Sequence, residues 1–569
     1  MSGRTLLQSW AAGADAGVGL HWGALLPAAR WRPVVPSPVL LEVEAVGPVS
    51  VMGRSFGRTA CVAALPGTGR VEIGLDEDWL WIESDAEVAS VRWSIEGEIE
   101  APRILAIVPT IGRVAETRAQ IANFLASDLV DLVLVVDQRG GIAGDPGIAE
   151  LAASAPGRVR TVEQGNFGGS GGYARGMLEA LATPDRAVLL SDDDAYLPPE
   201  SLRRMALHQE LARRAGVGEI VGAPVLDAED PKSLQICAEY VRDSGFFWTK
   251  ADSLYAPMRT DEDPDALADA LDRHHAPNYA GWWGCLLPPG ALERLGGPLP
   301  LFLKWDDAEY GLRAVDAGYA IEVLPGTGVQ HPRWDTTSTL WSWSGPLAQR
   351  NRLAVAASRG ASRGVLASSL AHQFKHVLSL QYDVAESWNA AGRAAGDPAW
   401  LGADLLSARD WATRTWRRAH EETERTAASA STDGPAKAVR DWRAARNSSA
   451  LRALGVLLAP RRLAREVREV PARAYAWWNS LGADVVRLDE YTGPALVADP
   501  ARARRLVAES IATHARLALS WRRLRAEYAS RAEAGARFDS WSAVLSVPIP
   551  EGDRENRAGG ASRHGKAHS

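Results

Sequence analysis

Between residues 104 and 212, short apolar runs alternate with segments of helical spacing, and this alternation constrains the fold more than any other feature of the chain. Runs at 104–108, 132–136, 159–162 and 187–190 have the length and composition of buried strands. Segments at 114–125, 173–181 and 199–212 repeat apolar residues at helical intervals. Strands alternating with helices predict a parallel α/β sheet covered by helices on both faces. In such sheets ligands bind just beyond the carboxyl ends of the strands. The residues that follow each apolar run are therefore the ones most informative about chemistry.

The chain has 569 residues, too many for one hydrophobic core, and its pattern changes twice. Up to about residue 100 it reads as β, with short partly alternating runs at 39–46, 71–73, 79–82 and 91–95. Gly, Pro and Asp separate them, so a β-sandwich is expected. Beyond about residue 345 helical spacing dominates, at 366–380, 411–424, 439–458 and 501–529. Residues 428–435 read as a linker and 557–569 as a disordered tail. The expected division is a β-sandwich at 1–100, the α/β core at 101–345, a helical domain at 346–555 and a tail at 556–569.

Bulk properties exclude some classes. A net charge of −7 gives no general argument for nucleic acid, so no nucleic-acid partner is expected. Cys61, Cys237 and Cys285 are far apart and lack metal-ligand spacing, which fits a reducing compartment. Residues 1–30 do not have the pattern of a signal peptide, and no run approaches the ~20 apolar residues of a membrane span. A cytoplasmic location is expected.

The run 187–190 ends in Asp192-Asp193-Asp194. In an extended segment Asp192 and Asp194 face one way and Asp193 the other. Two carboxylates on one side suit a divalent cation such as Mg²⁺ or Mn²⁺ whose open positions take substrate phosphates. The same triplet also suits an acidic turn. Asn166-Phe167-Gly168-Gly169-Ser170-Gly171-Gly172 is read as a loop joining strand to helix, where backbone amides and a helix amino end favour anions. Trp282 and Trp283, between Gly281 and Gly284, suit either a stacking platform or a core pair. Asp306 and Asp307 begin a helical segment at 308–317; one of them fits capping, and the second fits a placed base. His331 follows a strand expected at 321–324 and its loop, and it gains meaning only beside the acids, where a neutral imidazole completes a sensible cation set. Taken in order, these marks describe a metal-dependent transferase acting on a nucleotide sugar.

In this order the residues also resemble a known family. Asn166-Phe167-Gly168-Gly169-Ser170-Gly171-Gly172-Tyr173, Asp192-Asp193-Asp194, Gly281-Trp282-Trp283, Lys304-Trp305-Asp306-Asp307 with Tyr310-Gly311-Leu312-Arg313, and His331 are similar to the motifs of actinobacterial galactan-polymerising galactofuranosyltransferases of glycosyltransferase family two. The similarity is strong over about residues 103–352. It implies a Rossmann-like GT-A core and transfer of galactofuranose from UDP-galactofuranose to a glycan or glycolipid acceptor in cell-wall synthesis. It also implies roles by position. Arg113, Gln138, Asn166 and Asp192 would hold the donor; Asp192, Asp194 and His331 would hold Mn²⁺ or Mg²⁺. Asp307 would be the catalytic base, and Glu239, Trp248, Trp282, Trp283 and Asp306 would line the acceptor site. A homo-oligomer is implied by analogy with the family.

One further reading concerns membranes. Residues 440–473 carry nine Arg and three acids among Leu, Val and Ala, and Trp477 and Trp478 follow. This suits peripheral contact with an anionic membrane surface, and equally a solvated helix face or an oligomer contact. Competing functions are a transferase with another nucleotide-sugar donor, a catalytically retired carbohydrate-binding scaffold, and, weakest, a dinucleotide-dependent oxidoreductase.

Overall fold

A computed structural model describes residues 3–13, 17–35, 38–250, 258–261, 263–272, 275–333, 339–402, 405–429, 437–438, 467–471, 480–489 and 493–550. At its centre is a seven-stranded sheet in the order Val159–Glu163, Val130–Asp137, Ile104–Thr110, Ala187–Leu190, Cys285–Leu287, Glu219–Gly222, Ala320–Val323. The four runs expected as strands form one half of it and are mutually parallel. In the other half, Ala320–Val323 matches the strand expected at 321–324 to within one residue, whereas Glu219–Gly222 and Cys285–Leu287, four and three residues long, carry too little pattern to be read. Cys285–Leu287 runs against both neighbours, so the sheet is mixed rather than wholly parallel.

Successive residues of Ile104–Thr110 point to opposite faces. Ile104, Ala106 and Val108 join a core with Ile121 and Phe124 of the Val114–Leu125 helix and Leu202 and Met205 of Pro199–Arg214. Leu105 and Ile107 join the opposite core with Tyr173 and Met177 of Gly168–Ala180 and Tyr310 and Ala314 of Asp306–Asp316. The central strands Ile104–Thr110 and Ala187–Leu190 thus bury both faces, which is why their runs at 104–108 and 187–190 are continuously apolar, whereas the edge strand Val159–Glu163 is only partly covered.

One expectation is corrected here. The glycines at 168–172 are not a loop: the helix begins at Gly168. A Cβ at Gly171 would strike Phe167, one at Gly172 Pro109 and one at Gly176 Ile107. The glycines let this helix lie close against the sheet and its own entry turn.

Preceding the core are two antiparallel sheets, Arg4–Ala11, Val88–Glu96, Val39–Ala45, Gly69–Ile73 and Arg58–Leu65, Val49–Ser55, Trp79–Glu83. Leu41, Val91 and Trp93 of the first and Val49, Val51 and Ile82 of the second share one core. The strands Arg4–Ala11, Val49–Ser55 and Arg58–Leu65 were not anticipated. Past the core lie the helices Ser344–Ser358, Gly364–Leu378, Tyr382–Ala395, Leu406–Ser429 and Pro500–Gly535. Ala428 and Ser429, assigned to a linker, belong to the fourth. This region is not purely helical, since Val467–Pro471, Val485–Asp489 and two short strands form a small sheet. The remainder of the linker, the helix at 439–458, most of the basic stretch 440–473, Trp477 and Trp478, and the tail at 556–569 lie outside the described residues. Among the described residues, no helix is long and apolar enough to cross a membrane.

Candidate active site

The acid turn is set by three elements. Gln120 on the Val114–Leu125 helix donates from Nε2 to Ser191 Oγ and to the Asp192 carbonyl, both at 2.9 Å. Asp193 turns back into the protein, accepting from Thr110 Oγ1 at 2.7 Å and Arg113 Nη1 at 3.1 Å. Asp192 and Asp194 converge with His331, though not by strand alternation: residues 193 and 194 form a turn, and one Arg113 nitrogen contacts both Asp193 and Asp194. Tyr196 and Gln330 exchange backbone hydrogen bonds of 2.9 and 2.8 Å, which brings the strand Val329–His331 alongside the turn. His331 Nε2 then lies 3.5 Å from Asp194 Oδ1. Its Nδ1 sits 2.6 Å from the Pro332 carbonyl, which fixes a proton on Nδ1 and leaves Nε2 turned toward the acids.

Asp192, Asp194 and His331 each bring one ligand atom within 4.8 Å of the others, so the set fits a divalent cation. Electrostatics agree. Burial is the largest cause raising Asp192 above the usual carboxylate range; the Tyr173 hydroxyl at 2.7 Å and His331 oppose it, while Asp194 adds to it. Asp193 is pushed up to about 6 by burial, against Thr110 and Arg113. A cation would relieve the repulsion between Asp192 and Asp194. The Arg113 guanidinium also pairs with Asp194.

Gln138 and Asn166 stand at the edge of the neighbouring strands. Gln138 is buried, takes the Phe167 amide on Oε1 at 3.0 Å and donates its own N–H to the Thr110 carbonyl at 2.9 Å. Asn166 Oδ1 accepts from Gly168 N at 3.1 Å. These bonds shape the turn into the glycine-rich helix.

Asp306 and Asp307 approach the acid turn from another element: they stand in the first turn of their helix, where the macrodipole favours anions, and the Asp192 charge reaches Asp306. Asp306 accepts from Ser170 Oγ at 3.0 Å. Both carboxyls are raised: Asp306 chiefly by burial, Asp307 by burial and then by the charges of Asp306 and Glu239. Glu239 accepts from the Tyr279 hydroxyl at 2.9 Å, and its hairpin partner strand carries Trp248, 42% exposed.

Trp282 and Trp283 differ from a two-ring platform. Trp282 is 5% exposed and packs edge-on to Tyr173 and Tyr310, with ring centroids 4.8 and 5.7 Å away. Trp283 is half-buried over Gly281 and donates from Nε1 to the Ala223 carbonyl at 3.2 Å. Trp282 is a core ring beneath the acid turn, and its backbone carbonyl accepts from Tyr173 Oη at 3.0 Å. Tyr173, Ser170 and Gln120 also belong to the site but went unassigned from sequence; their roles depend on contacts across the fold.

Residues 102–354 match the family described as glycosyltransferase like family 2. The galactofuranosyltransferase GlfT2 of Mycolicibacterium smegmatis is 33% identical over 401 residues, 64% of this chain and 61% of that protein. GlfT2 of Mycobacterium tuberculosis is 34% identical over 340 residues, 56% of this chain and 52% of that protein. The chain thus spans about half to three fifths of the length of these relatives. The galactofuranosyltransferase GlfT1 of M. tuberculosis is 29% identical over 235 residues, 40% of this chain and 70% of that protein. Among solved structures, the mannosyltransferase PcManGT of Pyrobaculum calidifontis aligns at a TM-score of 0.34 and 16% identity, covering 74% of this chain and 88% of that one. Residues 102–354 are thus similar to the glycosyltransferase-like family 2, within a chain similar to mycobacterial galactofuranosyltransferases over more than half its length.

Proposed function

We propose that this chain transfers galactofuranose from UDP-galactofuranose to a hydroxyl of a galactan acceptor, lipid-linked in the cell, with inversion at the anomeric carbon. One observation carries the reading: the cation-type cluster Asp192, Asp194 and His331 and the acid pair Asp306 and Asp307 meet at one helix, whose Tyr173 bonds Asp192 and whose Ser170 bonds Asp306, and the Asp192 charge reaches Asp306. We read the core as a GT-A fold, the two amino-terminal sheets as a β-sandwich, and the boundaries as 1–100, 101–345, 346–555 and 556–569.

A divalent cation, Mn²⁺ or Mg²⁺, would be held by Asp192, Asp194 and His331 and would supply Lewis-acid stabilisation of the departing diphosphate. Arg113, Gln138 and Asn166 stand beside it to hold the nucleotide. Asp307 takes the proton of the attacking acceptor hydroxyl. Its raised affinity for a proton makes it a better base than an ordinary carboxylate, closer to the pH at which the enzyme must work. Glu239, Trp248, Trp283 and Asp306 border the acceptor side, and Trp282 supports that side from the core. In-line displacement from the face opposite the diphosphate inverts the centre, through a transition state with oxocarbenium character. Peripheral attachment to the inner face of an anionic membrane and assembly into a homo-oligomer accompany this reading.

The test is turnover. Purified protein is incubated with UDP-galactofuranose, Mn²⁺ and short galactofuranoside acceptors, and the products are weighed. Products heavier than the acceptor by galactofuranose residues are expected, with UDP-glucose and UDP-galactopyranose poor donors. Preference for another donor would overturn the substrate, and no transfer from any donor would point to a retired scaffold.

A further inference from the structure

Residues 301–305 enter the Asp306–Asp316 helix by an unusual path. Phe302, Lys304 and Trp305 have φ of 73°, 70° and 76°. Side chains other than glycine occupy this left-handed region only when their surroundings hold them there. The restraint is visible in the carbonyls. That of Phe302 accepts from Ser170 N at 3.2 Å. Those of Leu301, Leu303 and Lys304 accept from a single side-chain amide, Asn351 Nδ2, at 3.1, 2.9 and 3.1 Å.

Asn351 is fully buried on the helix Ser344–Ser358. Its Oδ1 accepts from Arg350 Nε and Nη2 at 3.2 and 3.1 Å. The Arg350 guanidinium lies 3.7 Å from the ring centroid of Trp400 and 4.9 Å from that of Trp411. Donors on one side and acceptors on the other leave the amide one orientation. We propose that Asn351 is a positioning residue for the transfer reaction: it locks the left-handed path of residues 302–305 and thereby aims Asp306 and Asp307 into the cleft. This rests on the reading of Asp307 as the base. Asn351 acts through the backbone, since its amide is committed to the three carbonyls and to Arg350.

Asn351→Asp tests it. The substitution keeps the size and the pairing with Arg350, but turns an oxygen toward the three carbonyls. In folded protein with UDP-galactofuranose, Mn²⁺ and a galactofuranoside acceptor, kcat should fall ~10²-fold, the scale of a catalytic group displaced by about 1 Å. The donor KM should stay within about threefold, because the cluster at Asp192, Asp194 and His331 stands on other elements. Hydrogen exchange at residues 301–310 should speed up, while exchange at 187–195 stays unchanged. Near-parental kcat with unchanged exchange would overturn the proposal, as would equal damage to both segments. If Asn351→Asp does not fold, Arg350→Lys carries the test; it keeps the charge but loses the fork that fixes the amide, and a smaller fall in kcat is expected. If the parent transfers no sugar, the functional reading fails separately, and the exchange comparison still decides whether Asn351 holds this segment.

Discussion

The two sides of the cleft are built differently. Asp192 and Asp194 lie in the turn just past a core strand, and His331 ends a short strand that two backbone hydrogen bonds between Tyr196 and Gln330 lay beside that turn. Asp306 and Asp307 follow three residues in left-handed conformation, held by Ser170, the glycine helix and Asn351. A site that binds a cation tolerates small shifts because several oxygens can adjust. A base that must meet one proton does not. The irregular, over-determined backbone lies on the side where placement matters most, as expected of strain at functional sites.

The largest effect that could break this contrast comes from Asp307→Asn. Turnover should drop by ~10²–10⁴-fold with UDP binding intact, as single-turnover assays and calorimetry would show. The same substitution should stabilise the protein. Asp307 binds its proton more tightly folded than unfolded, so its favourable contribution is complete below about pH 4 and is lost as pH rises through about 8. Asn stays neutral throughout, so a melting temperature higher than the parent's is expected at pH 8 and above. Unchanged turnover would remove Asp307 from its role.

Gly168→Ala comes next. Gly168 has a φ of 72°, and a Cβ there would strike the Phe302 carbonyl. The change should cost about 2–4 kcal/mol in denaturant unfolding, the range of strain combined with overpacking. It should damage turnover more than cation binding. Equal losses in both would mean the two sides of the cleft are less independent than their construction suggests.

His331→Ala should weaken Mn²⁺ binding by roughly 10–100-fold, measured by titration of activity after chelation, and more Mn²⁺ should restore much of the rate. Rates that ignore chelation altogether would dismiss the cation. The smallest effect is a shift in pH dependence. Asp307 must be deprotonated to act, and burial with Asp306 and Glu239 pushes it up to about 8. kcat/KM should therefore decline about tenfold per unit below that value. Asp306→Asn removes one raising charge, so the limb should move to lower pH; an unmoved limb would assign it to another group.

What could be read in the sequence follows the same division. The strand 187–190 is continuously apolar because both its faces are buried, and its end marks the carboxylates directly. His331 was readable only by association, since nothing local shows that Tyr196 pairs with Gln330. Trp282 was ambiguous for a physical reason: two rings between glycines look alike whether they line a rim or fill a core. The contacts that Asn351, Ser170 and Gly168 make with residues 301–306 span 47 to 136 positions in the chain, and no periodicity encodes them. Of the short sheet strands from 219 onward, the one at 320–323 could be read, but those at 219–222 and 285–287 could not, because three or four residues carry too little pattern.

The reversed strand has a wider consequence. Because Cys285–Leu287 runs opposite to its neighbours, its beginning, not its end, arrives at the ligand rim. The excursion 223–284 therefore leaves and re-enters the sheet at one spot, closed by the 2.9 Å bond from Ala223 N to the Gly284 carbonyl. Such a closed detour can change in its outer part without altering the register of the main sheet. Glu239, Trp248 and Trp283 ride on it, but its first strand, Val225–Asp227, pairs with Val329–His331 and so helps to seat the cation-type cluster. Room for variation therefore begins beyond Asp227, where the hairpin bearing Glu239 and Trp248 can alter while the seat of His331 is kept.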